Sequence, residues 1–178
     1  GIAERPEVRA YAQALVATAH ALDGTRPVVG NDGWEIAGGD LVCIHDYDQD
    51  PAALSARYRD DASIAAHLTG WSPMAGPAVR KRLLLDPPDV AGRPVLVSEF
   101  GGVGHSMARD ADDLLRRYAS LCRALVASEA LSGFCYTQLT DTYQESIGLA
   151  RLDRPPKPPP EKIVLATTGS YDPARSSD

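Results

Sequence analysis

The chain has 178 residues, enough for one ordinary domain or a part of a larger one. Apolar residues make up 44% and charged residues 24%, a globular rather than a disordered composition. The formal charge of −6 and the lack of any Lys/Arg cluster interleaved with aromatics argue against a nucleic-acid surface, and no apolar run reaches the ~18 residues that span a bilayer.

In chain order, residues 5 to 23 carry a helical period: Val8, Tyr11, Ala12, Leu15, Val16, Ala19 and Leu22 recur at spacings of three and four. Pro6 suits the first turn and Gly24 the stop. The chain opens on Gly1 rather than Met, with no charged and then apolar leader, so the expectation is that its natural start has been lost by processing or truncation. Residues 26 to 30 (RPVVG) read as a short apolar strand, followed by the polar loop NDGWE. Asp40 to Tyr47 is a second strand, and Pro51 to about Leu68 a helix with Ala53, Leu54, Tyr58 and Ile64 among its apolar positions. Residues 69 to 91 hold Pro73, Pro77, Pro87 and Pro88 and are expected to form loops with a short helical piece at 77 to 85.

Pro94 to Phe100 is the third strand. Asp110 to Ser128 is a helix whose apolar face carries Leu114, Leu115, Tyr118, Leu121, Cys122 and Leu125. Ser132 to Leu139 is the fourth strand, and RPPKPPPEKI leads into a last short helix near Glu161. Residues 168 to 178 read as a disordered end. Apolar strands alternating with helices imply an α/β fold on a parallel sheet. A four-stranded piece that opens with a helix reads as the second half of a larger αβ repeat. Cys43, Cys122 and Cys135 are odd in number and lack C-x-x-C spacing, so they read as small buried apolar residues in a reducing compartment, the cytoplasm, rather than as a disulfide framework.

Each strand ends in polar residues: Asn31, Asp32 and Trp34; His45, Asp46 and Tyr47; Glu99; then Tyr136, Gln138 and Asp141. In parallel sheets the C-terminal edge is where ligands bind. Taken singly, these residues have plain structural uses. A Glu at a strand end serves as a solvated or ion-paired group, Trp34 and Tyr136 as core, and His45 as a hydrogen-bonded filler; H-D-Y is not a metal spacing. Taken together, acids, amides and aromatic faces at one rim suit a sugar.

The segments TRPVVGNDGWE (25–35), IHDYDQDP (44–51), GRPVLVSEFGG (92–102) and GFCYTQLTDTYQESIGL (133–149), with DRPPKPPPE (153–161), resemble glycoside hydrolase family 2, the family of β-galactosidases, β-glucuronidases and β-mannosidases. The resemblance runs to about residue 165. It implies a partial (β/α)8 TIM barrel, strands five to eight with their helices, over residues 1 to 167. It implies Glu99, in SEFGG, as the catalytic nucleophile, and Tyr47 as the residue that holds it. Tyr136 stands where an aromatic, more usually Trp, floors the sugar site. Asn31, Asp32, Trp34, His45, Asp46 and Gln138 become substrate contacts, and neither cofactor nor metal is implied.

A retaining glycosidase needs two carboxylates about 5 Å apart. In the family the second is a Glu after an Asn, ending strand four just before the helix that opens this chain. Glu4, in IAERP, lacks that Asn, so the acid/base is expected upstream of Gly1. Such a fragment would need the other half of its barrel, since two sheet edges stay unpaired. Other readings stay open: a non-catalytic carbohydrate-binding half-barrel or pseudo-enzyme, and another α/β enzyme. Against the latter, no G-x-S-x-G elbow is present, and no G-x-G-x-x-G opens a helix after a strand.

Overall fold

The computed structural model describes residues 2, 5–71, 81–85, 92–103 and 108–173. Among them the fold is mixed α/β, with helices α1 (Pro6–Leu22), α2 (Pro51–Tyr58), α3 (Asp61–Leu68), α4 (Ala111–Val126) and α5 (Pro160–Thr167), and strands β1 (Val42–Asp46), β2 (Val95–Gly101) and β3 (Gly133–Thr137). The strands form one parallel sheet in the order β1-β2-β3.

Helix starts follow local chemistry. Proline opens α1, α2 and α5, where the missing N–H costs nothing. Asp50, Asp60 and Asp110 cap α2, α3 and α4, each carboxylate accepting a backbone N–H of the first turn at 2.8–2.9 Å. Asp60 explains why the helix expected over 51–68 is two helices: its capping carboxylate restarts the helix after Arg59.

Residues 26–30 do not form the expected strand. Val29 bridges Gly39 in antiparallel fashion, and Asp40 accepts the Val28 N–H on its side chain at 2.7 Å, so this donor is lost to a ladder. A single parallel bridge from Gly33 to Ile44 is what reaches β1. The helical piece expected at 77–85 also fails where it is described. Residues 81–85 run alongside Glu35 and Ile36, and Leu83 is fully buried there. Residues 77–80, the four prolines of this stretch and Glu4 lie outside the described residues. The expected disordered end divides: Thr168 to Tyr171 turn back on α5, with Tyr171 buried, whereas 174–178 lie outside the described residues.

The core lies between the sheet and α2, α3 and α4. All five residues of β1 are buried, and Leu114, Leu115, Tyr118, Leu121, Cys122 and Leu125 of α4 pack against Val95, Val97 and Phe100 of β2. Cys43 and Cys122 are buried free thiols, and burial pushes Cys122 up to about 12. Cys135 departs from expectation: it is exposed on β3, an edge strand of the sheet. Among the described residues α1 buries no side chain, and Tyr11, Leu15 and Leu22 are exposed.

Strand β2 breaks its own alternation. Val95 and Val97 are buried, Ser98 and Glu99 are not, and Phe100 is buried again. The register against β1 slips here: Ile44 lies opposite Val97, but His45 lies opposite Glu99. This irregularity inserts one residue, which returns Phe100 to the helix-facing core and frees Glu99 from it. Just beyond, Gly101 has φ +90°, and a Cβ there would fall 2.2 Å from the Tyr136 ring.

Two stability outcomes follow. Gly101→Ala should cost about 3 kcal/mol, combining a disfavoured φ with overpacking, whereas Gly92→Ala (φ +82°, no atom near) should cost about 1 kcal/mol; urea unfolding of both variants checks the difference. Burial, then the Arg57 guanidinium, holds His67 down at about 4 from its usual 6.5. The folded chain therefore takes this proton later than the unfolded chain. The resulting stability is complete above pH 6.5 and declines as pH falls toward 4, by up to about 3 kcal/mol; His67→Gln should flatten that slope in unfolding curves measured between the two values.

Candidate active site

Successive side chains of a strand point to opposite faces, so His45 and Tyr47 share one face at the end of β1 and Asp46 takes the other. The first two meet Glu99. The Tyr47 hydroxyl donates to Glu99 Oε2 at 2.5 Å, and His45 Nδ1 lies 3.2 Å from the same oxygen. Burial, then its bond to the carboxylate, pushes the Tyr47 phenol up to about 12. It therefore keeps its proton, and remains a donor, throughout the neutral range.

His45 is 9% exposed. Its Nε2 has no hydrogen-bond partner and faces Asp32 Oδ1 at 3.3 Å, within ion-pair reach but off the hydrogen-bond line. The Ser98 hydroxyl donates to that Asp32 oxygen at 2.5 Å. Trp34 stands edge-on to the imidazole, with ring centroids 5.2 Å apart. Asn31 is turned to its own loop, donating from Nδ2 to the Trp34 carbonyl. Thus Asp32, Trp34, His45, Tyr47 and Glu99 converge on one rim, and Asn31 braces the loop that carries Trp34.

Three further expected contacts have protein partners of their own. Asp46 is fully buried on the helix side of β1. Its Oδ2 accepts from Arg57 at 2.5 Å and from Tyr58 at 2.8 Å, and its Oδ1 accepts the Asp48 N–H, so no edge of this carboxylate is left for a ligand. Tyr136 sits in an aromatic cluster with Phe100 and Tyr118. Its hydroxyl donates to the Ile147 carbonyl and accepts the Val103 N–H. It is therefore a strut under the loops after β2 and β3 rather than an open ring for a sugar to stack on. Gln138 Nε2 donates to Glu145, on the loop that follows β3. Asp141, named with them, pairs with Lys157 at 2.7 Å and lines a cavity of about 460 Å³ beside the start of α4; Glu99 does not line it.

Arg57, Tyr58, Gln49 and Ser98 escaped the sequence reading. Gln49 donates to the carbonyls of Tyr47 and Gly101, tying the ends of β1 and β2 together. The signal for Arg57 and Tyr58 was present: strand alternation turns Asp46 toward the helix layer, where a partner is obligatory for a buried carboxylate.

No described group of three or more His, Cys, Asp or Glu residues could hold a metal ion, and no described helix is long and apolar enough to cross a membrane. The site offers one half-exposed carboxylate with an enforced donor, a histidine between two acids, and an adjacent indole. Such a carboxylate can act as a nucleophile or a base toward a ligand above the rim.

Asp46→Asn should destabilise the fold by about 2–4 kcal/mol, because it strands Arg57 beside a neutral amide. Asp48→Asn, at the more open end of the same Arg57 fork, should cost less than about 1 kcal/mol. Thermal unfolding of the pair is the check.

Comparison with protein-family models and with curated proteins gives no match to this chain.

Proposed function

We propose that the chain is the part of a retaining β-glycoside hydrolase, of the family 2 kind, that contributes strands five to eight of a (β/α)8 catalytic barrel. The observation that carries this reading is Glu99 at the C-terminal end of the central parallel strand, with the Tyr47 hydroxyl donating to its carboxylate. Further support comes from two sources. The described sheet is open, since β3 pairs on one side alone and β1 meets only the Gly33 bridge at its outer edge. Tyr11, Leu15 and Leu22 of the α1 apolar row are exposed among the described residues. An open sheet and exposed apolar side chains on a helix are what further strands and helices would cover.

In this reading Glu99 attacks the anomeric carbon while a second carboxyl group protonates the departing glycosidic oxygen. The glycosyl ester is then hydrolysed by a water that the second carboxylate activates. Tyr47 fixes the attacking carboxylate in one rotamer. Because its phenol is held above the ordinary range, it donates without surrendering its proton. The second carboxylate comes from the end of strand four, about 5 Å from Glu99. The substrate is a β-linked glycoside, and Trp34, edge-on to His45, stands at the rim to meet its C–H face.

Trapping tests the assignment. The full-length protein is incubated with 2,4-dinitrophenyl 2-deoxy-2-fluoro-β-glycosides of galactose, glucose and mannose, then digested and mapped by mass spectrometry. One of these should leave its fluoro-sugar on Glu99, and Glu99→Gln should lower turnover on the order of 10⁴-fold or more. A label on Asp46 or Asp141 would sink the assignment. Sugar binding with no label from any of the three would point to a binding protein instead.

A further inference from the structure

We infer that Oε1 of Glu99 is the attacking atom, and that His45, backed by Asp32, is the positioning residue that leaves it so; this rests on the glycosidase reading above.

The two oxygens of Glu99 are not equivalent. Oε2 takes the Tyr47 hydroxyl at 2.5 Å and lies 3.2 Å from His45 Nδ1. Among the described residues no group donates to Oε1. An oxygen already engaged by the Tyr47 hydroxyl has less electron density to give than a twin with no donor among the described residues.

The imidazole is locked in this orientation. A Cβ at Gly33 would fall 2.6 Å from its Cγ, so the backbone of the NDGWE loop lies directly on the ring. Trp34 closes another side, and 9% of the residue is exposed. With no freedom to turn, the ring presents Nδ1 to Glu99 and Nε2 to Asp32. Both neighbours are carboxylates, 3.2 Å and 3.3 Å from the two ring nitrogens, so the ring is held between them. Asp32 is held in turn by the Ser98 hydroxyl, from the residue inserted at the register slip. Loop, β1 and β2 thus close one circuit: Ser98 to Asp32, Asp32 to His45, His45 to Glu99.

The circuit has a chemical use. On glycosylation the bond from C1 to Oε1 forms, and the bond from C1 to the glycosidic oxygen breaks. Its electron pair leaves with that oxygen, and the proton comes from the second carboxyl group. Glu99 then loses its negative charge and Oε2 becomes the carbonyl of an ester. The imidazole, packed by Gly33 and Trp34 and backed by Asp32, stays in place through this change. When water releases the sugar, Glu99 regains its charge in the place it left. A plain substrate contact at His45 would need neither Asp32 nor the second nitrogen.

Three variants of the full-length protein test this. Asn at position 45 brings an amide N–H near the place of Nδ1, and Gln reaches instead toward Asp32. With a 2,4-dinitrophenyl glycoside that labels the wild type, His45→Gln should slow glycosylation roughly 10- to 100-fold, while His45→Asn should recover most of the rate. Affinity for the free monosaccharide should stay near the wild-type value in both. Asp32→Asn, whose side chain is half exposed and so is not needed for packing, should slow the reaction in the same direction even if a position-45 variant fails to fold. The trapped fluoroglycosyl enzyme should show C1 bonded to the Glu99 oxygen remote from Tyr47. Equal rates for all variants overturn the inference, as does a loss confined to sugar affinity, an Asn variant no better than Gln, or a C1 bond to the oxygen that Tyr47 holds. Absence of any label on wild-type Glu99 overturns the glycosidase reading itself.

Discussion

The site hangs on a one-residue slip between two parallel strands. Up to Ile44 and Val97 the strands pair in step; from there His45 stands opposite Glu99, and Ser98 is passed over. Without that slip Glu99 would share the face of Val95 and Val97 and bring a second carboxylate into the helix-side core, where Arg57 is already taken by Asp46. With the slip, Phe100 fills that place and Glu99 is released to the other face. Irregularities of this kind are common beside functional sites because they re-aim one side chain without disturbing the layer behind it.

Behind the slip, two structures resist the disturbance it brings. On one side Asp46, fully buried, is tied to Arg57 and Tyr58 of α2, and these bonds hold the end of β1 against the helix layer. On the other side Phe100, Phe134, Tyr118 and Tyr136 pack edge to face or stacked, and the Tyr136 hydroxyl links the loops after β2 and β3. Gly101 lets that ring approach the backbone closely. A buried ion pair is a poor source of net stability but a strong constraint on orientation. Orientation is what matters for His45 and Tyr47, which leave the same strand on its opposite face.

Polar groups at the rim differ in kind from those behind it. Asp46 is fully buried with both oxygens engaged, whereas Glu99 has one oxygen held and, among the described residues, no donor to the other. Asp32 is half exposed, and His45 is buried with a ring nitrogen that has no hydrogen bond. Incomplete satisfaction of buried polar groups is costly in a core and is tolerated where a ligand or a charge change makes use of it.

Local chemistry decided much of this protein. Prolines at helix starts, the apolar face of 110–128 and the strand around Glu99 were all legible, because each depends on residues a few positions apart. The polar strand ends were legible too, and they named the rim. Residues 26–30 were apolar enough to read as a strand, but strand formation needs a partner in register, and Asp40 and the close approach of Gly30 to Gly39 supply a turn instead. Asp46 and Tyr136 looked like ligand contacts because composition does not say which way a side chain points. Alternation along β1 hinted at the answer for Asp46, but only the packing of α2 revealed its partners. That Glu99 stands opposite His45, with the Tyr47 hydroxyl on its carboxylate, was settled by pairing between strands more than fifty residues apart, which no local pattern encodes.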